Sequence, residues 1–136
     1  MKNIYSYILS AFIMFYPLKI TYALSYDWVT VPQSQFGEQI WDKKNMQTNK
    51  DGSIRVFSKF LPRNSNGITQ NILYTMDIDC SKTLFKDVAI GTKKFNEIKN
   101  KDLAWKSPNG DKLILSLIQQ VCTVESEKRL AKDRTN

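Results

Sequence analysis

The chain has 136 residues, 20 basic against 13 acidic side chains, a formal charge of +7 and no histidine. That length suits one domain. The missing histidine removes Ser-His-Asp and Cys-His catalysis, H-E-x-x-H zinc sites and the facial triad.

The first element is a leader. Lys2 opens it, and an apolar stretch runs from Ile4 to Tyr16, interrupted by Ser6 and Ser10. Pro17 breaks that stretch, and Thr21-Tyr22-Ala23 places small residues where a signal peptidase reads. The run is shorter than the roughly 18–20 residues that span a bilayer. Cleavage after Ala23 is therefore expected, rather than stable membrane insertion. No cysteine stands near the cut to carry a lipid. Removing residues 1–23 takes Lys2 and Lys19 away, leaving 113 residues and lowering the formal charge from +7 to +5. The expected location is the periplasm, the cell surface or the medium.

An exported chain meets oxidising conditions, and its two cysteines, Cys80 and Cys122, are expected to pair. No C-x-x-C spacing and no histidine mark a reactive thiol. The bridge closes a loop of about 43 residues, which the chain-entropy model values at about 4 kcal/mol.

Strand signals run from Leu24 to about Phe95. Asp27–Val31 alternates polar and apolar residues and stops at Pro32. Glu38–Trp41 reads as a second short strand, and Met46 and Thr48 mark a third. Asn49-Lys50-Asp51-Gly52 is the clearest turn, because Asp-Gly supplies the positive φ of a tight hairpin. After it, Ile54, Val56, Phe57 and Phe60 flank Arg55 and Lys59 in a strand with one charged face. Pro62 to Gly67 is a polar loop. Asn71–Asp79 puts Ile72, Tyr74, Met76 and Ile78 on one face and Thr75, Asp77 and Asp79 on the other, the mark of a half-buried antiparallel strand. Thr83–Ile90 is the last strand, with Leu84, Val88 and Ile90 in one parity around Lys86.

After Trp105 the period changes. Ser107-Pro108 suggests a helix start, with Ser107 as cap and Pro108 in the first turn; Gly110 weakens that start and moves the cap a residue or two on. Leu113, Ile114, Leu117, Ile118, Val121 and Cys122 form one helical stripe. It can bring Cys122 against the strand end at Cys80. Leu130 could extend the helix, but Glu125 to Asn136 is charged and reads as a frayed or solvent-exposed tail. The divisions are thus a leader over 1–23, one domain over 24–123 and a charged tail over 124–136. The fold class is α+β: a small antiparallel sheet of five to six strands, with a C-terminal helix packed on it and tied by a disulfide.

Little in this chain looks catalytic. There is no G-x-G-x-x-G and no P-loop. Asp77 and Asp79 share a strand face, with Asp87 further along; such carboxylates can serve a glycosidase or bind calcium, but a solvated face explains them more simply. Trp28, Trp41 and Trp105 read as core packing before binding hot spots. The pairs Lys43-Lys44 and Lys93-Lys94 lie among acidic and neutral residues, not in the dense aromatic-flanked stripe of a nucleic-acid groove. No enzyme activity, cofactor, metal or nucleic-acid partner is expected.

Taken in order, the landmarks are Trp28, the strand Gly52-Ser53-Ile54-Arg55-Val56-Phe57-Ser58-Lys59, the strand ending Ile78-Asp79-Cys80, Trp105, Ser107-Pro108-Asn109-Gly110 and a helix ending Val121-Cys122. This order resembles the surface-adhesin protein E family of exported bacterial proteins. The resemblance implies a small antiparallel sheet with a disulfide-tied C-terminal helix. The family's best-known member binds host extracellular-matrix and plasma proteins, so the resemblance implies a binding role. The chain departs from the family in lacking a lipid-anchor cysteine and in carrying Phe57 where an aromatic, often Trp, stands. The expected function is a non-enzymatic exported binding module for a protein or polyanionic surface, with Arg55, Lys59, Lys93 and Lys94 as candidate contacts. The alternative is a structural periplasmic subunit that self-associates, as a homodimer, through a sheet face or edge.

Overall fold

Residues 25–63, 70–91 and 103–135 are described by the computed structural model. Six strands precede one helix: β1 Trp28–Thr30, β2 Gly37–Asp42, β3 Gln47–Thr48, β4 Ile54–Pro62, β5 Ile72–Asp79, β6 Leu84–Ile90 and α1 Lys112–Asp133. The strands form one antiparallel sheet in the order β1-β2-β4-β5-β6, with β3 paired to the start of β4. This is the α+β class that the alternation and the late helical stripe predict.

Turn chemistry sets the register. Between β3 and β4, Gly52 has φ +84°, and Asn49 and Ser53 close the turn by a 2.8 Å backbone hydrogen bond. Asp51 caps it by accepting from the Ser53 amide and hydroxyl. Gly37 starts β2 at φ +149°, and a Cβ there would stand 2.3 Å from the Leu61 carbonyl oxygen. Only glycine lets β2 approach β4 this closely.

Register and alternation give the sheet two unlike faces. One carries Trp41, Ile54, Val56, Met76 and Ile78, which pack with Leu117, Ile118 and Val121 of α1 into the core. Trp41 is fully buried, and its indole Nε1–H donates to Gln120 Oε1 at 2.7 Å. Gln120 Nε2 in turn donates to the Thr30 carbonyl at 3.2 Å. This clasp fixes the helix across β1 and β2. At the other end the Cys80–Cys122 disulfide joins the residue after β5 to the middle of α1, with Cα atoms 5.6 Å apart. Clasp and bridge hold different strands, so the helix can neither slide nor pivot freely.

Three sequence expectations are corrected. The helix cap is Asp111, not Ser107: Asn109 and Gly110 have φ +43° and +85°, outside the helical region. The Asp111 carboxylate accepts from the Leu113 and Ile114 amides at 3.0 and 3.1 Å, satisfying donors that a helix start leaves orphaned. Secondly, α1 continues to Asp133. Its last turns are exposed, as the charge pattern predicts, but they are helical, with Arg129 paired to Glu125 one turn earlier at 2.8 Å. Thirdly, β6 does not keep one parity. The pairing jumps from Thr75↔Ala89 to Met76↔Asp87, so Val88 is the extra residue of a β-bulge. Phe85 and Asp87 consequently oppose Ile78 and Met76 on the helix side, while Lys86 opposes Asp77 on the other side.

Candidate functional site

The face opposite α1 is covered by no element among the described residues. Cross-strand register lays out its rows. One row runs Arg55↔Asp77↔Lys86, and another runs Thr30↔Ile40↔Lys59↔Leu73. Trp28 stands at the β1 edge and Trp105 flanks the β6 edge, where Lys106 bridges to Phe85. Arg55 and Lys59 therefore share a face, as four-residue spacing in a strand requires.

The charges of this face are organised. Asp77 accepts from Arg55 Nε and Nη2 at 2.8 and 2.9 Å, the bidentate arrangement that matches guanidinium to carboxylate. Lys86 Nζ lies 3.8 Å from the same carboxylate. The Asp77 side chain is only 3% exposed, whereas Arg55 is 35% and Lys86 22% exposed. The Asp77 bond, followed by the opposing cost of burial, raises the Arg55 guanidinium above its ordinary value. Asp42 is also buried, accepting from the amides of Asp27 and Lys44 and from Asn45. Asp77 and Asp42 are thus buried, while Arg55 and Lys86 above Asp77 stay partly exposed.

Each projecting lysine is backed by an indole. Lys59 Nζ sits 4.1 Å from the Trp28 ring, which stacks on Tyr26 at 5.2 Å. Lys86 Nζ sits 4.5 Å from the Trp105 ring. Such cation–π contacts are worth about 0.5–1 kcal/mol at exposed sites, less than the rotamer entropy of a fixed lysine, so they bias these side chains toward the indoles. The two lysines stand on β4 and β6, two strand spacings or about 10 Å apart across the sheet, and their indoles lie toward opposite sheet edges. Between them lie Ile40, Phe57 and Leu73.

The sequence-predicted site residues fare unequally. Arg55 and Lys59 come together on the uncovered face, but Arg55 is committed to Asp77 and Lys59 to Trp28. Lys93 and Lys94 lie outside the described residues. Asp77 and Asp79 do not form a solvated pair: Asp77 is buried beneath two cations, because its cross-strand neighbours are Arg55 and Lys86. Asp79 instead caps the turn after β5, accepting from the Ser81 amide and hydroxyl and the Lys82 amide. Those bonds, the Ser81 hydroxyl first, hold its carboxyl below the usual range. Among the described residues no three His, Cys, Asp or Glu side chains gather to hold a metal ion. Only Trp41 is core; Trp28 is half-buried and Trp105 is 37% exposed. Sequence reading missed Lys86 as a site residue, since the bulge at Val88 alone turns it to this face.

A second concavity, about 1050 Å³, lies on the helix side between the β1–β2 loop and the start of α1. Phe60, Tyr74, Met76 and Phe85 line its floor, with Gln39 and Asp87 among them. Sequence reading gave no signal for it, because its walls come from segments about 75 residues apart in the chain.

These features describe a disulfide-closed sheet and helix with an uncovered cationic–aromatic face. A family model for the surface adhesin-E family matches residues 29–128. The chain belongs to the surface adhesin-E family. That match takes in both sheet faces, the disulfide and most of α1. No curated protein and no solved structure matches the chain. No helix among the described residues is long and apolar enough to cross a membrane.

Proposed function

We propose that this surface adhesin-E family chain is an exported, non-enzymatic binding module that docks an acidic protein or polyanionic surface on its uncovered sheet face. The observation that supports this is the vertical sorting of charge. Asp77 and Asp42 are buried, while Arg55, Lys59 and Lys86 project above them. A flat partner therefore meets positive heads on an aromatic and aliphatic ground. Trp28 and Trp105, which back the two lysines, are the expected anchors, since tryptophan is enriched among the residues that carry interface energy. Extracellular-matrix proteins and sulfated polysaccharides have this acidic character.

Immobilised heparin and a panel of matrix proteins provide the test, with the mature oxidised chain as analyte. Binding is expected to weaken steeply as salt rises past the ionic strength of serum. Lys59→Gln with Lys86→Gln should lower affinity about tenfold or more. Binding that ignores salt, or that is unaffected by both changes, contradicts the proposal.

A further inference from the structure

We infer that the groove between the β1–β2 loop and the start of α1 is a site for a small organic ammonium ion, seated on Asp87 against the rings of Phe60, Tyr74 and Phe85. This site is on the helix side of the sheet and does not depend on the docking reading of the opposite face.

Register brings the four groups together. Tyr74 opposes Ser58, so Phe60 is its diagonal neighbour on β4. Asp87 opposes Met76, so Tyr74 is diagonal to Asp87 across β5 and β6. Phe85 stands two residues from Asp87 on the same strand and face. Diagonal neighbours are about 7–8 Å apart, so the three aromatic residues and the carboxylate line one stretch of the groove. The groove itself, about 1050 Å³, is at the upper end of small-molecule sites, which are mostly apolar with a few convergent polar groups.

Beside Gln39, the floor carries the Asp87 carboxylate, whose side chain is 13% exposed. A buried carboxylate among rings is costly unless a cation complements it. One cation already does: Lys106 Nζ donates to Asp87 Oδ2 at 3.1 Å. Lys106 arrives from the outer edge of β6, where its backbone bridges to Phe85, and it does not line the groove. The chain thus shows an ammonium resting on Asp87, a residue that also lines the groove. Burial first, and the Asp87 charge second, raise the Tyr74 phenol above its ordinary value; ring and carboxylate share one field. An aromatic wall with a carboxylate is the chemistry that selects alkylammonium ions through cation–π attraction. Of the other charges on the lining, Asp111 is taken up by the helix cap and Lys112 follows it at the rim. An anionic ligand would be repelled by Asp87, and a neutral one would gain nothing from it.

Choline and its neutral isostere 3,3-dimethylbutan-1-ol separate charge from shape. They are titrated into the mature oxidised protein and followed by calorimetry and amide chemical shifts. Choline should bind saturably and shift amides around Tyr74, Phe85 and Asp87, and the isostere should bind about tenfold or more weakly. Asp87→Asn should abolish the difference. Lys106→Met removes the competing ammonium and should tighten choline binding several-fold; choline should also raise the melting temperature of Lys106→Met more than that of the unaltered chain. The Lys106→Met measurement decides the matter if Asp87→Asn fails to fold. Equal binding of choline and the isostere, no saturable choline binding, or weaker binding by Lys106→Met would each overturn the inference.

Discussion

Removing either partner of the Arg55–Asp77 pair should destabilise the fold, but by different amounts. Asp77 is 3% exposed and keeps only Lys86, at 3.8 Å, once Arg55 is gone. Arg55→Met therefore leaves a buried anion with one longer ion pair and should cost about 3 kcal/mol. Asp77→Asn forfeits two charge-assisted hydrogen bonds, yet the cations it releases are 35% and 22% exposed and can turn to water. That change should cost about 2 kcal/mol. The double variant removes the stranded charge as well as the pair, so it should fall short of the sum by about 1–2 kcal/mol. Urea unfolding of all four proteins, with slopes compared to check for a common denatured state, measures each quantity. An Asp77→Asn cost exceeding that of Arg55→Met, or strict additivity, would refute the reasoning that burial of the anion governs this pair.

Cys80→Ser with Cys122→Ser should lower unfolding free energy by about 4 kcal/mol on the chain-entropy model, read by the same urea titration; a loss under about 1 kcal/mol would mean that the clasp at Trp41 and Gln120 already fixes the helix. Gly37→Ala should destabilise by about 3 kcal/mol, because its Cβ would meet the Leu61 carbonyl at 2.3 Å and overpacking costs are of that order; an unchanged melting temperature would show that β2 can shift. Asp79 titrates lower folded than unfolded, so the stability it contributes is complete above the ordinary carboxylate range and is lost as pH falls through the lowered value. Ser81→Ala should move the Asp79 carboxyl back up toward that range in a carbon-13 NMR titration.

Much of the fold was legible because local signals agreed with one another. Asp51-Gly52 fixes a hairpin, the alternation of Asn71–Asp79 fixes a half-buried strand, and the stripe from Leu113 to Cys122 fixes the face of α1 and, through Cys122, its partner. The helix start was harder. Ser107-Pro108 is a sound opening in isolation, but the left-handed Asn109-Gly110 pair interrupts it and Asp111 offers a better cap. The site was half legible. Four-residue spacing put Arg55 and Lys59 on one face, yet spacing along one strand says nothing of cross-strand neighbours. Asp77 is buried only because β4 and β6 bring Arg55 and Lys86 against it. Lys86 reaches that face only through the bulge at Val88, which leaves no trace in the residue pattern. Trp28 and Trp105, at opposite edges of the sheet, become comparable only once the strand order is known.

Acidic partners are proposed to meet the uncovered sheet face, away from Trp41 on the helix side. The three indole N–H signals of the nitrogen-15-labelled mature protein test this directly. Trp28 and Trp105 lie at the edges of that face, and Trp41 is buried against Gln120 on the other side. On addition of a bound heparin oligosaccharide, the Trp28 and Trp105 signals should move together while Trp41 stays in place. Movement of Trp41 with Trp28 and Trp105 unchanged would contradict the account.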